Sequence, residues 1–154
     1  MSTQIDETNE QIIAALVRDA RQSNREVGKA LGLSEATVRK RLSRMIDERQ
    51  VKLTAVCDAA AMGVKVSAIV RLRARPAEVR NVVASVQDLD NVSFVALSAG
   101  RFNIMLIVAC ESRGALASFI HGTLKKRSGI DALEVVEFVD VVKHRLDLIL
   151  VPKD

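Results

Sequence analysis

The stretch LGLSEATVRKRLSRM, residues 31–45, sets a glycine, a serine able to cap a helix and the basic residues Arg39, Lys40, Arg41 and Arg44 among the apolar Val38, Leu42 and Met45. Whether those charges are only solvated or meet phosphate decides what the chain is for. At about 100° per residue, Leu42 and Met45 fall within a few tens of degrees of Val38, and Ile46 joins that inner face. Ala36, Thr37, Lys40, Ser43 and Arg44 take the opposite side, with Arg39 and Arg41 on the flanks. Ser34 is positioned as N-cap, and Glu35 suits the positive end of the helix dipole.

Upstream, Ser23-Asn24-Arg25-Glu26 has the Ser-x-x-Glu form of a capping box, and Val27, Ala30 and Leu31 give a short apolar face ending at Gly32. Gly28 costs that helix roughly 1 kcal/mol relative to alanine, which is tolerable where a neighbouring helix must pass closely. Before it, Asp6 caps a first helix in which Ile12, Ile13, Leu16 and Val17 recur at three- and four-residue intervals. A short helix, a glycine turn and a second amphipathic helix have the spacing of a helix-turn-helix. A basic run alone suits a solvated face equally well, but with the capped helix before it the composite points to nucleic acid. In that geometry central residues reach base edges in the major groove while flanking ones grip phosphate. The expected base contacts are Thr37, Lys40 and Arg44, with Ser43 behind them; the expected phosphate contacts are Arg25, Ser34, Arg39 and Arg41.

After Gln50 the period changes. VKLTAVCD, residues 51–58, reads as a strand, and residues 59–63 as a connection. Residues 64–75 alternate, with Val64, Val66, Ala68, Val70 and Leu72 on one face. Pro76 opens a helix through Val79, Val82, Val83 and Val86. Residues 92–97 and 102–110 are apolar runs either side of Gly100, residues 116–124 are helical in spacing, and residues 135–142 and 146–151 read as strands. The order β-α-β-β-α-β is that of a ferredoxin-like sandwich. Ile104, Leu106 and Val108 point one way and Met105, Ile107 and Ala109 the other, so the sheet is apolar on both faces and asks for a second cover. A partner's sheet, giving a dimer, would supply it.

The expected organisation is therefore α+β: residues 1–50 a helix-turn-helix, winged-helix-like DNA-binding domain, 51–63 a strand linker or hinge, and 64–154 a ferredoxin-like module. With 49% hydrophobic and 27% charged residues, the 154-residue chain has apolar material for two small cores and no disorder signature. Nothing approaches the about 20 uninterrupted apolar residues of a spanning helix, and the polar, acidic start is no signal segment, so no membrane and a cytoplasmic place are expected. The net charge of +4 suits a polyanion, yet residues 1–63 carry ten Lys/Arg against nine Asp/Glu and residues 64–154 thirteen against ten, so bulk charge does not say which half binds what. Cys57 and Cys110, far apart in apolar settings, are expected to be buried, reduced packing residues rather than a disulfide or metal site.

The chain resembles the Lrp/AsnC (leucine/asparagine-responsive, feast/famine) family of prokaryotic transcriptional regulators over nearly its whole length. IDETNEQIIAALVRDARQSNREVGKALGLSEATVRKRLSRM is similar to the family's opening, and VALSAGRFNIMLIV to its strand–glycine–strand segment. The resemblance implies a DNA-binding domain, a dimerising ferredoxin-like module, assembly of four dimers into an octamer, and an amino-acid or related small effector near the glycine turn at the interface between dimers. The matching positions are Ala99, Gly100, Arg101, Phe102 and Asn103. Many members show Thr-Gly-x-Tyr-Asp there, so this chain replaces a hydroxyl, a phenol and a carboxylate. The last change matters most, because a carboxylate can pair with an ammonium group whereas an amide offers only its carbonyl oxygen. Gly100 also serves simply as a turn residue.

No catalytic constellation, metal-ligand spacing or nucleotide loop accompanies His121 and His144, so neither enzyme activity nor a cofactor or metal is expected. The alternatives are an architectural DNA-binding protein without an effector, and a haem-pathway decarboxylase sharing the architecture. The first would show broad, salt-dependent affinity for unrelated duplexes.

Overall fold

The computed structural model describes residues 5–144, which divide into two compact units, 5–55 and 56–143. In the first, α1 (Glu7–Arg18), α2 (Asn24–Leu31) and α3 (Glu35–Asp47) close around Ile12, Val27, Val38 and Met45, each at most 1% exposed. Ile13, Leu16, Leu31 and Leu42 pack around that centre half-buried. Val17 and Ile46, expected on the inner faces, are exposed instead, as is Ala30: in each case the neighbouring Leu16, Met45 or Leu31 takes the place against the small core.

The second unit is a four-stranded antiparallel sheet of β1 (Val66–Ala74), β2 (Val92–Leu97), β3 (Ile104–Cys110) and β4 (Ile130–Glu137), in the order β2-β3-β1-β4. The central pair is in register from Val66 opposite Cys110 to Leu72 opposite Ile104. A 3-10 turn, Pro76–Glu78, leads into α4 (Val79–Val86); α5 (Arg113–Ser118) runs on through a π-helical segment, Phe119–Leu124. That segment sets Phe119, Ile120 and Leu124 in the core with Val82, Val86 and the inward row Ala68, Val70, Leu72, Ile104, Leu106 and Val108. Fully burying a Val, Leu or Ile contributes about 1.5–3 kcal/mol, so this face supplies most of the unit's stability.

The other face of the sheet, with Ile69, Phe94, Met105, Ile107 and Val136, carries no covering layer from the described residues of this unit; Phe94 is 40% and Val136 43% exposed.

Four expectations need correcting. Residues 51–58 form no strand: Val51 packs half-buried against the first core, the rest stay exposed, and none bonds to a neighbouring strand, without whose ladder no strand exists. The first unit thus has no β wing among its described residues, and Cys57 is exposed rather than buried, while Cys110 is buried as expected. The strand placed at 135–142 begins at Ile130, because Gly129, at φ 87°, turns the chain directly onto β1, with Leu133 opposite Leu72. Pairing ends with the bond from the Phe138 N–H to the Ser67 carbonyl, beyond which Val139 and Val142 are almost fully exposed. The expected strand at 146–151 lies outside the described residues.

Candidate functional site

The turn between α2 and α3 is fixed by local chemistry. Ser23 Oγ accepts from the Glu26 N–H at 3.2 Å while Glu26 Oε2 accepts from the Ser23 N–H at 2.7 Å, the full capping box. That bond, with one from the Ser23 hydroxyl, holds the Glu26 carboxyl below its usual range. Gly32 ends α2 at φ 69°, a conformation that favours glycine. The Leu33 N–H donates to the Gly28 carbonyl at 2.9 Å, and a β-carbon on Gly28 would lie 2.7 Å from the Leu33 carbonyl oxygen. The glycine therefore accommodates the turn's own backbone. Ser34 Oγ then accepts from the Thr37 N–H at 3.1 Å and pairs with Thr37 Oγ1 at 2.8 Å.

On α3, Lys40, Ser43, Arg44 and Arg39 are exposed and Thr37 and Arg41 half-buried. Arg41 Nη1 donates to Asp6 Oδ2 at 2.7 Å and to Asn9 Oδ1 at 2.9 Å, tying the helix to the start of α1. The bond from Arg41, then the one from the Asn9 N–H, holds the Asp6 carboxyl below the ordinary carboxylate value. Arg44 Nε donates to Glu48 Oε1 at 2.6 Å, one turn on. Asp6, Asn9, Thr37, Lys40, Arg41 and Arg44 together line a cleft of about 330 Å³. Ser43 stands outside that lining; Arg25 is exposed on α2 and Ser34 is exposed at the cap of α3.

In the second unit, Gly100 sits at φ 138° between β2 and β3, with Ala99 and Arg101 exposed and Phe102 and Asn103 half-buried. Asn103 Nδ2 donates to the Ala74 carbonyl at 2.8 Å and its Oδ1 accepts from the Ala74 N–H at 2.9 Å. With the Asn103 N–H on the Leu72 carbonyl at 3.0 Å, the side chain extends the β1–β3 ladder past its last backbone pair. Guanidinium carbons of Arg71 and Arg101 lie 5.7 and 5.5 Å from the centre of the Phe102 ring, and Arg71 is ion-paired to Glu134.

The AsnC-type helix-turn-helix domain matches residues 5–46, and the Lrp/AsnC ligand-binding domain matches residues 67–147, which is more than half of the chain. The chain belongs to the Lrp/AsnC family. An HTH-type transcriptional regulator of Pyrococcus abyssi is 30% identical over 91% of this chain and 89% of its own length. LrpC of Bacillus subtilis, of the same designation, is 31% identical over 77% and 83%. Among solved structures, AsnC of E. coli superposes with a TM-score of 0.85 at 21% identity, covering 93% of this chain and 97% of that one. A Neisseria meningitidis regulator in complex with L-Met gives 0.85 at 21% identity, covering 94% and 96%. The family and these relatives are transcriptional regulators, not enzymes, and the Lrp/AsnC assignment accounts for both the DNA-binding and the ligand-binding half. No helix among the described residues is long and apolar enough to cross a membrane.

Sequence reading missed the partners of the two arginines. Glu48, four residues after Arg44, was legible as a helical ion pair. Asp6 was read only as a cap, and nothing local links it to Arg41, 35 positions away.

Proposed function

We propose that this Lrp/AsnC regulator reads a specific DNA site with the outer face of α3 and answers to an amino acid or related small effector at the Gly100 turn. The cleft that brings Thr37, Lys40 and Arg44 together carries the reading, since it puts polar groups on the outer side of a capped helix whose inner side is buried. Thr37, Lys40 and Arg44, with Ser43, would meet base edges, and Arg25, Ser34, Arg39 and Arg41 phosphate. Arg41 and Arg44 would first leave their carboxylate partners; Lys40 and Arg39 make no such bond among the described residues. Residues 1–50 bind DNA, 51–63 act as hinge, and 64–154 hold the effector at Ala99, Gly100, Arg101, Phe102 and Asn103. A second copy covers the open sheet face, four dimers form the octamer, and the particle works in the cytoplasm. The Neisseria neighbour's complex with L-Met supports an amino-acid-like effector.

The test is a titration of the full chain onto its own upstream DNA and a scrambled duplex, with and without the common amino acids, alongside sedimentation at micromolar concentration. Preference for the upstream DNA that moves with the mixture supports the reading. Equal, steeply salt-dependent binding to both duplexes replaces it with an architectural role. A monomer in the centrifuge removes the assembly.

A further inference from the structure

Around Phe102 the described residues gather more positive charge than negative. Arg71 and Arg101 both stand within cation–π reach of the ring. Arg73, two residues beyond Arg71 on the same exposed row of β1, makes no bond among the described residues, and neither does Arg101 apart from its ring contact. The strand register brings two carboxylates to this end of the sheet, and both are engaged: Glu134 by Arg71, and Asp131 at 3.9 Å by Arg75. Two further polar side chains stand at the turn: the Ser98 hydroxyl donates to the Phe102 carbonyl at 2.9 Å, and Asn103 commits its donor to the Ala74 carbonyl and its acceptor to the Ala74 N–H. Among the described residues, the backbone N–H groups of Gly100, Arg101 and Phe102 donate to nothing in the chain, which adds donors for an anion.

Like charges held against one ring favour an anion between or beside them, and planar guanidinium groups match a carboxylate with two parallel bonds. An α-ammonium group, in contrast, meets guanidinium groups and, among the described residues at this end of the sheet, no uncommitted carboxylate.

We propose that the turn formed by Arg101 and Phe102, with Arg71 and Arg73 beside it, selects small carboxylates that lack an α-ammonium group, such as 2-oxo acids, over the corresponding amino acids. This rests on the reading that the Gly100 turn is the effector site. An oxo acid keeps the carboxylate for the guanidinium groups and turns a carbonyl oxygen, an acceptor, toward the remaining donors.

Isothermal titration of the full chain with matched pairs tests it: pyruvate against alanine, 4-methyl-2-oxopentanoate against leucine, phenylpyruvate against phenylalanine. Each is repeated on Arg101→Ala and Phe102→Ala, with thermal unfolding as the check that the variants are folded. The expected result is at least one oxo acid binding ten-fold or more tightly than its amino acid, with a ten-fold or greater loss in Arg101→Ala. An amino acid that binds as well as or better than its oxo acid, and is weakened by both variants, overturns the selectivity while leaving the turn as effector site. Binding indifferent to both variants, or no binding of any pair, overturns the selectivity and the effector reading of the turn together.

Discussion

Replacing Gly28 by valine tests whether the helix-turn-helix is held by the backbone contact described above. A β-carbon there would sit 2.7 Å from the Leu33 carbonyl oxygen and 3.5 Å from the Glu35 nitrogen, whereas carbon and carbonyl oxygen ordinarily approach no closer than about 3.3 Å. The obstructing atom is main chain, held by the 2.9 Å bond between Leu33 and Gly28 and by Gly32 in its left-handed conformation, so it yields only if that bond is disturbed. Overpacking of this kind costs about 1–3 kcal/mol, and weakening the bond adds about 0.5–1.5 kcal/mol. Valine's better helix propensity returns only a few tenths of a kcal/mol. The net loss is about 1–4 kcal/mol, in a unit of some fifty residues whose whole stability is on the order of 3–8 kcal/mol. Far-UV circular dichroism of the full chain should show the helix-turn-helix transition falling by roughly 5 °C or more, since 1 kcal/mol moves a small domain by about 4–8 °C. A transition within about 2 °C of the parent would refute the argument, because it would mean that the turn shifts freely and that Gly28 has no packing role.

Lys40→Ala should relax site preference by ~1–3 kcal/mol per lost base contact, while Arg39→Ala should weaken all duplexes alike and flatten the salt slope by ~1; identical behaviour would show the groove orientation to be wrong. Glu48→Gln should raise DNA affinity in a filter or anisotropy titration, because it frees Arg44 and removes a negative charge beside it. Since the folded-state Asp6 carboxyl lies below its unfolded value near 3.8, the pair with Arg41 stabilises fully above that value and is lost as pH falls through the folded one. The stability difference between the parent and Asp6→Asn should therefore be constant at neutral pH and shrink toward pH 2 in denaturant titrations. Asn103→Asp replaces a donor to the Ala74 carbonyl by an acceptor and should lower Tm, whereas a Tm equal to the parent's would mean that this bond does not hold the turn.

The first unit was legible because its signals are local: Asp6, Ser23 with Glu26, Ser34 and Gly32 each act within four residues, and each sits where its spacing predicted. β1, β2 and β3 were legible through alternation and continuous apolar runs. The fourth strand was not, because Asp131 and Glu134 interrupt its pattern; opposite Arg71, the second of these is accounted for by a cross-strand ion pair that only the register reveals. Residues 51–58 failed in the other direction, since β-branched and apolar residues describe a willingness to pair and not the presence of a partner. At the turn, the sequence shows that an amide replaces a carboxylate, but not that both amide atoms bond to Ala74, 29 positions earlier.

Part of the outward side of α3 takes no part in holding it. Val38, Met45 and Arg41 anchor the helix and Thr37 shares in its cap, while the side chains of Arg39, Lys40 and Ser43 bond to nothing else among the described residues. Surface substitutions free of such bonds usually change stability by no more than about 0.5 kcal/mol. Substitutions at these three positions should therefore each leave a folded protein, so that duplicated copies of such a gene could vary the outer face of this helix long before they diverge in shape.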